Sequence, residues 1–261
     1  MTETDRVPRA AAAVDGSAPV LVDRSARAED GACRHHLLWR AGPGWRMVSS
    51  AVLGGGIGER QWVLNAQVRS GYDRLDPDRH LAELAAAEGL TGPGVGLMTA
   101  AEVDRATRSE DGGVTALVTT GLGVPTWAAA PEPTDPPGAD RTVPTAYVPG
   151  TVNIVAVVPV AVSDAGLVNL LATATEAKVQ ALLEAGYACT GTPSDAVCVA
   201  VRTPVPGRAT EPFGGPRSPW GARLARAVHR AVLDGARADT LARRTGPPAP
   251  HPAPRSECFL P

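Results

Sequence analysis

Three segments place hydroxyls, carboxylates or glycines at the ends of apolar runs, where a rigid scaffold can present chemistry. In CTGTPSDAVCVA, from Cys189 to Ala200, Thr190, Thr192, Ser194 and Asp195 crowd in just before a strand-like run. A carboxylate among hydroxyls at the mouth of a strand can orient a nucleophile or take its proton. The same residues can also form a hydroxyl-rich turn in which Asp195 accepts neighbouring backbone N–H groups. In GTVNIVAVV, from Gly150 to Val158, Thr151 stands where a proline-rich stretch meets an apolar run, and Asn153 shares its face by the period of two. Thr151 reads either as a nucleophile or as an ordinary strand start.

The third segment, SSAVLGGGIGERQWVLNAQV from Ser49 to Val68, carries Gly54, Gly55 and Gly56 after one strand-like run and Asn65 within the next. Successive glycines can turn backbone N–H groups toward an anion or a developing oxyanion, or simply form a flexible hairpin loop. Their spacing fits neither a phosphate-binding loop nor a dinucleotide fingerprint. Histidine supplies no conventional triad: His35 and His36 point to opposite sides of a strand, and His80 and His229 lie in amphipathic helices. Glu176 and Lys178, in TEAKVQAL, fall on different helix faces. They read as solvated, with Lys178 anchoring an anion if its face turns inward. The cysteines Cys33, Cys189, Cys198 and Cys258 form no CxxC pair and have no suitably spaced histidine, so they read as reduced, structural thiols, and no metal site is expected.

Several elements must position these groups. Strand-like runs cover Val20 to Asp23, His35 to Arg40, Arg46 to Leu53, Gln61 to Val68, Val114 to Thr120, Val152 to Val158 and Val197 to Arg202. Three helices are expected. The first spans Pro77 to Glu88, capped by Asp76 and ended by Gly89; the second spans Ala165 to Ala185, capped by Ser163 or Asp164; the third runs from Ser218-Pro219 to about Asp234. Short mixed strands with amphipathic helices imply an α+β fold of layered sheets covered by helices in a single domain, residues 20–245. Residues 1–19 and 246–261 lack apolar periodicity and read as disordered tails, and the proline-rich stretch 131–150 reads as a long surface loop. A formal charge of −2 gives no field for a polyanion, so no nucleic-acid partner is expected. Without a signal-like start or a long apolar run, a soluble cytoplasmic protein with no membrane association is expected. Oligomeric state leaves no trace.

The order SSAVLGGG, VGLMTAA, VTALVTTGLG, GTVNIVAVV, TATEAKVQALLE, TGTPSDAVCVA and WGARLARAVHRAV, over about Val48 to Val232, resembles the adenosylcobinamide amidohydrolase family. The resemblance implies hydrolysis of the amide joining a corrin propionate to aminopropanol, giving adenosylcobyric acid for cobamide salvage. No cofactor is then expected, because the cobalt belongs to the corrinoid substrate. Two departures stand out: Val124-Pro125-Thr126-Trp127 follows VTTGLG where the family carries an asparagine and a basic turn, and Pro193 and Ser194 replace a glycine and a threonine. The first leaves substrate range open; the second keeps a hydroxyl. Trp62, Trp127 and Trp220 are candidates to cover a large flat ligand, or else core residues.

A fainter resemblance is to self-cleaving enzymes of the D-amidase and ornithine acetyltransferase type, whose two sheets stack between helical layers in an αββα sandwich. It implies Thr151 as nucleophile, with its own freed amine as base or with Asp195 assisting in an intact chain, and Gly54 to Gly56 or Asn153 holding the oxyanion. Thr190, Thr192, Glu176, Lys178 and Asn65 complete the expected substrate site. The competing readings are a non-catalytic corrinoid-binding protein and a self-processing amidase or acyltransferase with a smaller substrate.

Overall fold

The computed structural model describes residues 20–131 and 150–245. The expected tails and nearly all of the proline-rich stretch lie outside the described residues. Among the described residues, ten strands and three α-helices follow the order β1 (Asp23–Glu29), β2 (Ala32–Arg40), β3 (Trp45–Ser49), β4 (Gly56–Glu59), β5 (Trp62–Gln67), α1 (Pro77–Ala87), β6 (Gly94–Thr99), β7 (Thr107–Asp111), β8 (Val114–Thr120), β9 (Val152–Ala161), α2 (Asp164–Glu184), β10 (Ala196–Arg202) and α3 (Pro219–Thr245). They build a four-stranded sheet, β1-β2-β5-β6, and a six-stranded sheet, β4-β3-β10-β9-β8-β7. Each sheet has one parallel pair, β5/β6 and β9/β10. Each of those pairs is joined through a helix, α1 and α2 respectively, as a parallel crossover requires.

Alternation along β9 sets the layering. Val152, Ile154, Ala156 and Val158 pack with Leu167, Leu170, Leu224 and Val228 of α2 and α3, while Val155 and Val157 pack with Trp39, Val63 and Leu97 of the other sheet. A third cluster joins Leu38, Leu64 and Ala66 to Leu81 and Ala85 of α1. The layers are therefore α1, the four-stranded sheet, the six-stranded sheet, and the α2–α3 pair. This is the expected α+β layered fold in one domain, in its αββα form.

Local chemistry explains the ends of the elements. Ser163 caps α2 through Gly166 N–H at 3.1 Å, and Ser218 caps α3 through Gly221 N–H at 3.1 Å. Asp76, expected to cap α1, makes no such bond; its carboxylate is held by Arg74 instead. Helix α3 runs on to Thr245, well past the expected Asp234. Gly235 in its middle is a close-approach residue, where a Cβ would lie 2.3 Å from Thr120 Oγ1. Cys189 and Cys198 are buried thiols as expected. Cys33, at the exposed start of β2, is disulfide-bonded instead.

Candidate active site

The parallel pairing of β9 with β10 sets Ala196 opposite Asn153, so the residues just before the two strands also meet. Thr151 Oγ1 lies 2.7 Å from Ser194 Oγ, which donates in turn to Gly150 O at 3.3 Å. With the serine proton committed to that carbonyl, the Thr151 hydroxyl donates to Ser194. Thr151 is only 4% exposed, yet it forms the floor of a cleft of about 530 Å³ walled by Ser50, Val52, Leu97, Met98, Tyr72 and Ser194. Two hydroxyls in contact at the base of such a cleft can attack a carbonyl and pass a proton between them.

Asp195 underpins this pair. Its Oδ1 accepts from Val152 N–H at 2.8 Å and Thr192 Oγ1 at 2.6 Å. Its Oδ2 accepts from Lys178 Nζ at 2.5 Å and Thr192 N–H at 3.1 Å. Both side chains of the ion pair are more than nine-tenths buried. Four donors occupy the carboxylate, so it is arranged to hold the backbone next to Thr151 rather than to take a proton. Lys178, the only lysine in the chain, is not on a solvated face: α2 packs against β10 and carries it inward. Gly191 lets the two charged groups meet, because a Cβ there would fall 2.2 Å from Asp195 Oδ2 and 2.6 Å from Lys178 Nζ.

The remaining expected residues take other places. Asn153 and Asn65 face each other between the sheets, both buried. Asn153 Nδ2 donates to Asn65 Oδ1 and to Met98 O, each at 2.9 Å, and Asn65 Nδ2 donates to Thr119 Oγ1 at 2.9 Å. They tie the strands behind the cleft, and the donors of Asn153 are spent. Gly54 has φ +70° and packs on Gly94 O, and the Arg60 guanidinium holds the Gly54 and Gly55 carbonyls. Gly54 opens on a separate cavity with Trp62 and Leu90, so the glycine run does not reach Thr151. Thr190 anchors the segment after β8, bonding Thr126 O and Ala128 N–H. Glu176 is exposed, in the groove between α2 and α3 with His229. Trp62 and Trp220 are buried core residues, while Trp127 is half-exposed outside the cleft.

No histidine lines the cleft among the described residues. His36 is buried against Glu88, with Nε2 2.9 Å from Oε1, and burial lowers its pKa despite that bond. His80 lies 3.1 Å from Glu29 and its pKa is likewise lowered by burial. Sequence reasoning missed Ser50, Arg69, Tyr72 and Arg74 of the cleft wall; Ser50 lies in a run read only as a strand, and the other three sit in an irregular segment with no periodic signal. No helix among the described residues is long and apolar enough to cross a membrane.

The chain is similar to known proteins. The family model described as adenosylcobinamide amidohydrolase matches residues 19–243. A protein of that name from Methanosarcina mazei is 30% identical over 192 residues, 71% of this chain and 88% of its own length. Another from Halobacterium salinarum is 40% identical over 137 residues, 52% of this chain and 55% of its own. Among solved structures, the PH0078 protein from Pyrococcus horikoshii OT3 is similar with a TM-score of 0.40 at 13% identity, over 83% of this chain and 82% of that one. The match over almost the whole described chain shows that it belongs to the adenosylcobinamide amidohydrolase family, hydrolases of an amide carbon–nitrogen bond.

Proposed function

We propose that this enzyme cuts the aminopropanol amide of adenosylcobinamide, giving adenosylcobyric acid and 1-amino-2-propanol, with Thr151 as the nucleophile. The observation that carries the residue assignment is the Thr151–Ser194 contact at 2.7 Å on the cleft floor. Thr151 Oγ1 bonds to the amide carbon as its proton passes to Ser194 Oγ. Ser194 gives its own proton to the leaving nitrogen, the carbon–nitrogen bond breaks, and an ester to Thr151 remains. Water then attacks the ester carbon, and its proton returns through Ser194 to the threonine oxygen. Asp195 positions rather than reacts: through Val152 N–H it fixes the backbone that carries Thr151. The cobalt stays within the substrate throughout.

Mass spectrometry of the corrinoid after incubation tests the reaction. Loss of the aminopropanol arm with a new free carboxylate is expected. A corrinoid that binds but is recovered unchanged would instead make this chain a corrinoid-binding protein.

One observation favours a second reading. Ser194 Oγ bonds Gly150 O, the carbonyl of the peptide bond that precedes Thr151, so the same hydroxyl pair is aimed at the chain itself. Attack there would shift the acyl group from Thr151 N to its oxygen, and hydrolysis would leave Thr151 with a free amine. A denaturing gel decides between the two: an uncut chain runs as one 26.8 kDa band, and a self-processed one as two fragments divided at Gly150.

A further inference from the structure

We infer that Tyr72, with Leu75 beside it, is the surface against which the corrin macrocycle lies while its aminopropanol arm reaches down to Thr151; this rests on the nucleophile reading above. At about 530 Å³ the cleft is sized for a drug-like ligand, for which pockets of about 300–1,000 Å³ are usual. Adenosylcobinamide, a macrocycle with seven side arms and an adenosyl group, is far larger. Only the reacting arm fits inside, so the ring stays at the mouth and meets whatever the rim offers.

The rim on the α1 side is built for a flat partner. Among the described residues, Tyr72 is the only aromatic side chain lining the cleft. Its position is fixed from behind: the ring stacks on His80 at 5.7 Å with an interplanar angle of 7°, and its hydroxyl lies 3.1 Å from His80 Nδ1. His80 is itself buried and held by Glu29. The His80 ring thus holds the tyrosine ring in a fixed plane. An aromatic side chain held in place before binding loses little entropy when a ligand settles on it. Leu75, which directly follows the cleft-lining Arg74 in the chain, is 99% exposed, and Val52, which lines the cleft, is 53% exposed. Apolar groups left exposed at a cleft mouth offer contact area to a ligand too large to enter it. The cleft-lining cations Arg69 and Arg74 are paired with Asp73 and with Asp76 and Glu83.

The test measures KM, kcat and, by equilibrium dialysis, Kd for Tyr72→Ala, Tyr72→Phe and Leu75→Ser, with Thr151→Ala alongside. Tyr72→Ala is expected to raise KM and Kd about tenfold, the scale of losing one stacked aromatic, with kcat within about twofold. Tyr72→Phe, which keeps the ring, should stay near wild type. Leu75→Ser should raise Kd about threefold with an unchanged melting temperature, which decides the matter even if Tyr72→Ala fails to fold. Dicyanocobinamide, lacking the adenosyl group, should show the same losses. Wild-type Kd in Leu75→Ser, and in Tyr72→Ala where that variant folds, would overturn the proposal, as would a loss seen only with the adenosyl form. Activity surviving in Thr151→Ala would sink the nucleophile assignment, whatever the rim variants do to Kd.

Discussion

Replacing Lys178 with methionine isolates the device that holds the site together. The substitution keeps most of the buried stem and removes the charge 2.5 Å from Asp195 Oδ2. Asp195 would keep three donors, the Val152 and Thr192 N–H groups and the Thr192 hydroxyl. Removing one partner of a buried ion pair costs about 3–5 kcal/mol, and the three surviving bonds put this case at the lower end, about 3 kcal/mol. For a domain of this size that is a fall in Tm of about 6–12 °C. Urea denaturation at pH 7 measures it, in a cycle with Asp195→Asn. Because the asparagine carries no charge to strand, Lys178→Met should cost at least about 1 kcal/mol less in that background. A cost below about 1 kcal/mol in the single variant, the scale of an exposed pair, or strict additivity in the cycle, would refute the buried-pair account.

Other consequences follow from the same geometry. Gly191→Ala pushes a methyl into both members of the ion pair; activity should drop more than tenfold and the urea midpoint should fall with it. Ser194→Ala removes the proton relay but leaves a folded chain, and kcat should fall by about 10² with little change in KM, as initial rates on adenosylcobinamide will read. The pKa values of His36 and His80 are both lowered by burial from the ordinary 6.5, so below about pH 6.5 the unfolded chain binds protons that the folded chain refuses. Their contribution to stability is complete above pH 6.5 and is lost as pH falls through the folded values. Thermal melts from pH 7.5 to 5.0 should show Tm dropping, and His36→Gln should flatten the profile; a Tm that rises on acidification contradicts the assignment.

The parts of the fold legible from sequence are those with a one-sided environment. All three helices and the interior strands β2, β3, β5, β8, β9 and β10 carry apolar periodicity. The strands that escaped, β1, β4, β6 and β7, are the four sheet edges. DRSARAE, GIGE and TRSED are polar or glycine-rich because an edge faces water on one side. In β6 the glycines that disguise the strand are demanded by packing, since a Cβ on Gly94 would fall 1.9 Å from Trp62. The expected run at Val20 to Asp23 ends where β1 begins.

The site divides in the same way. Thr151, Ser194, Thr192 and Asp195 announce themselves by hydroxyl and carboxylate density before buried strands. Their meeting depends on the parallel register of β9 with β10, which no local pattern encodes. Lys178 reads as solvated because of its charge, although it lies four residues after Ala174 and three before Ala181 on the buried face of α2; the packing of α2 over β10 gives that charge its partner. The glycine run looks like an anion cradle, yet its carbonyls serve Arg60 and its backbone serves Gly94.

The most direct measurement of the central claim is kcat for Thr151→Ala on adenosylcobinamide, with the variant's fold verified by its Tm. With the threonine hydroxyl gone, no aminopropanol should be released above the uncatalysed background while the corrinoid still binds. Turnover at the wild-type rate in that variant would contradict it and move the chemistry to another group in the cleft.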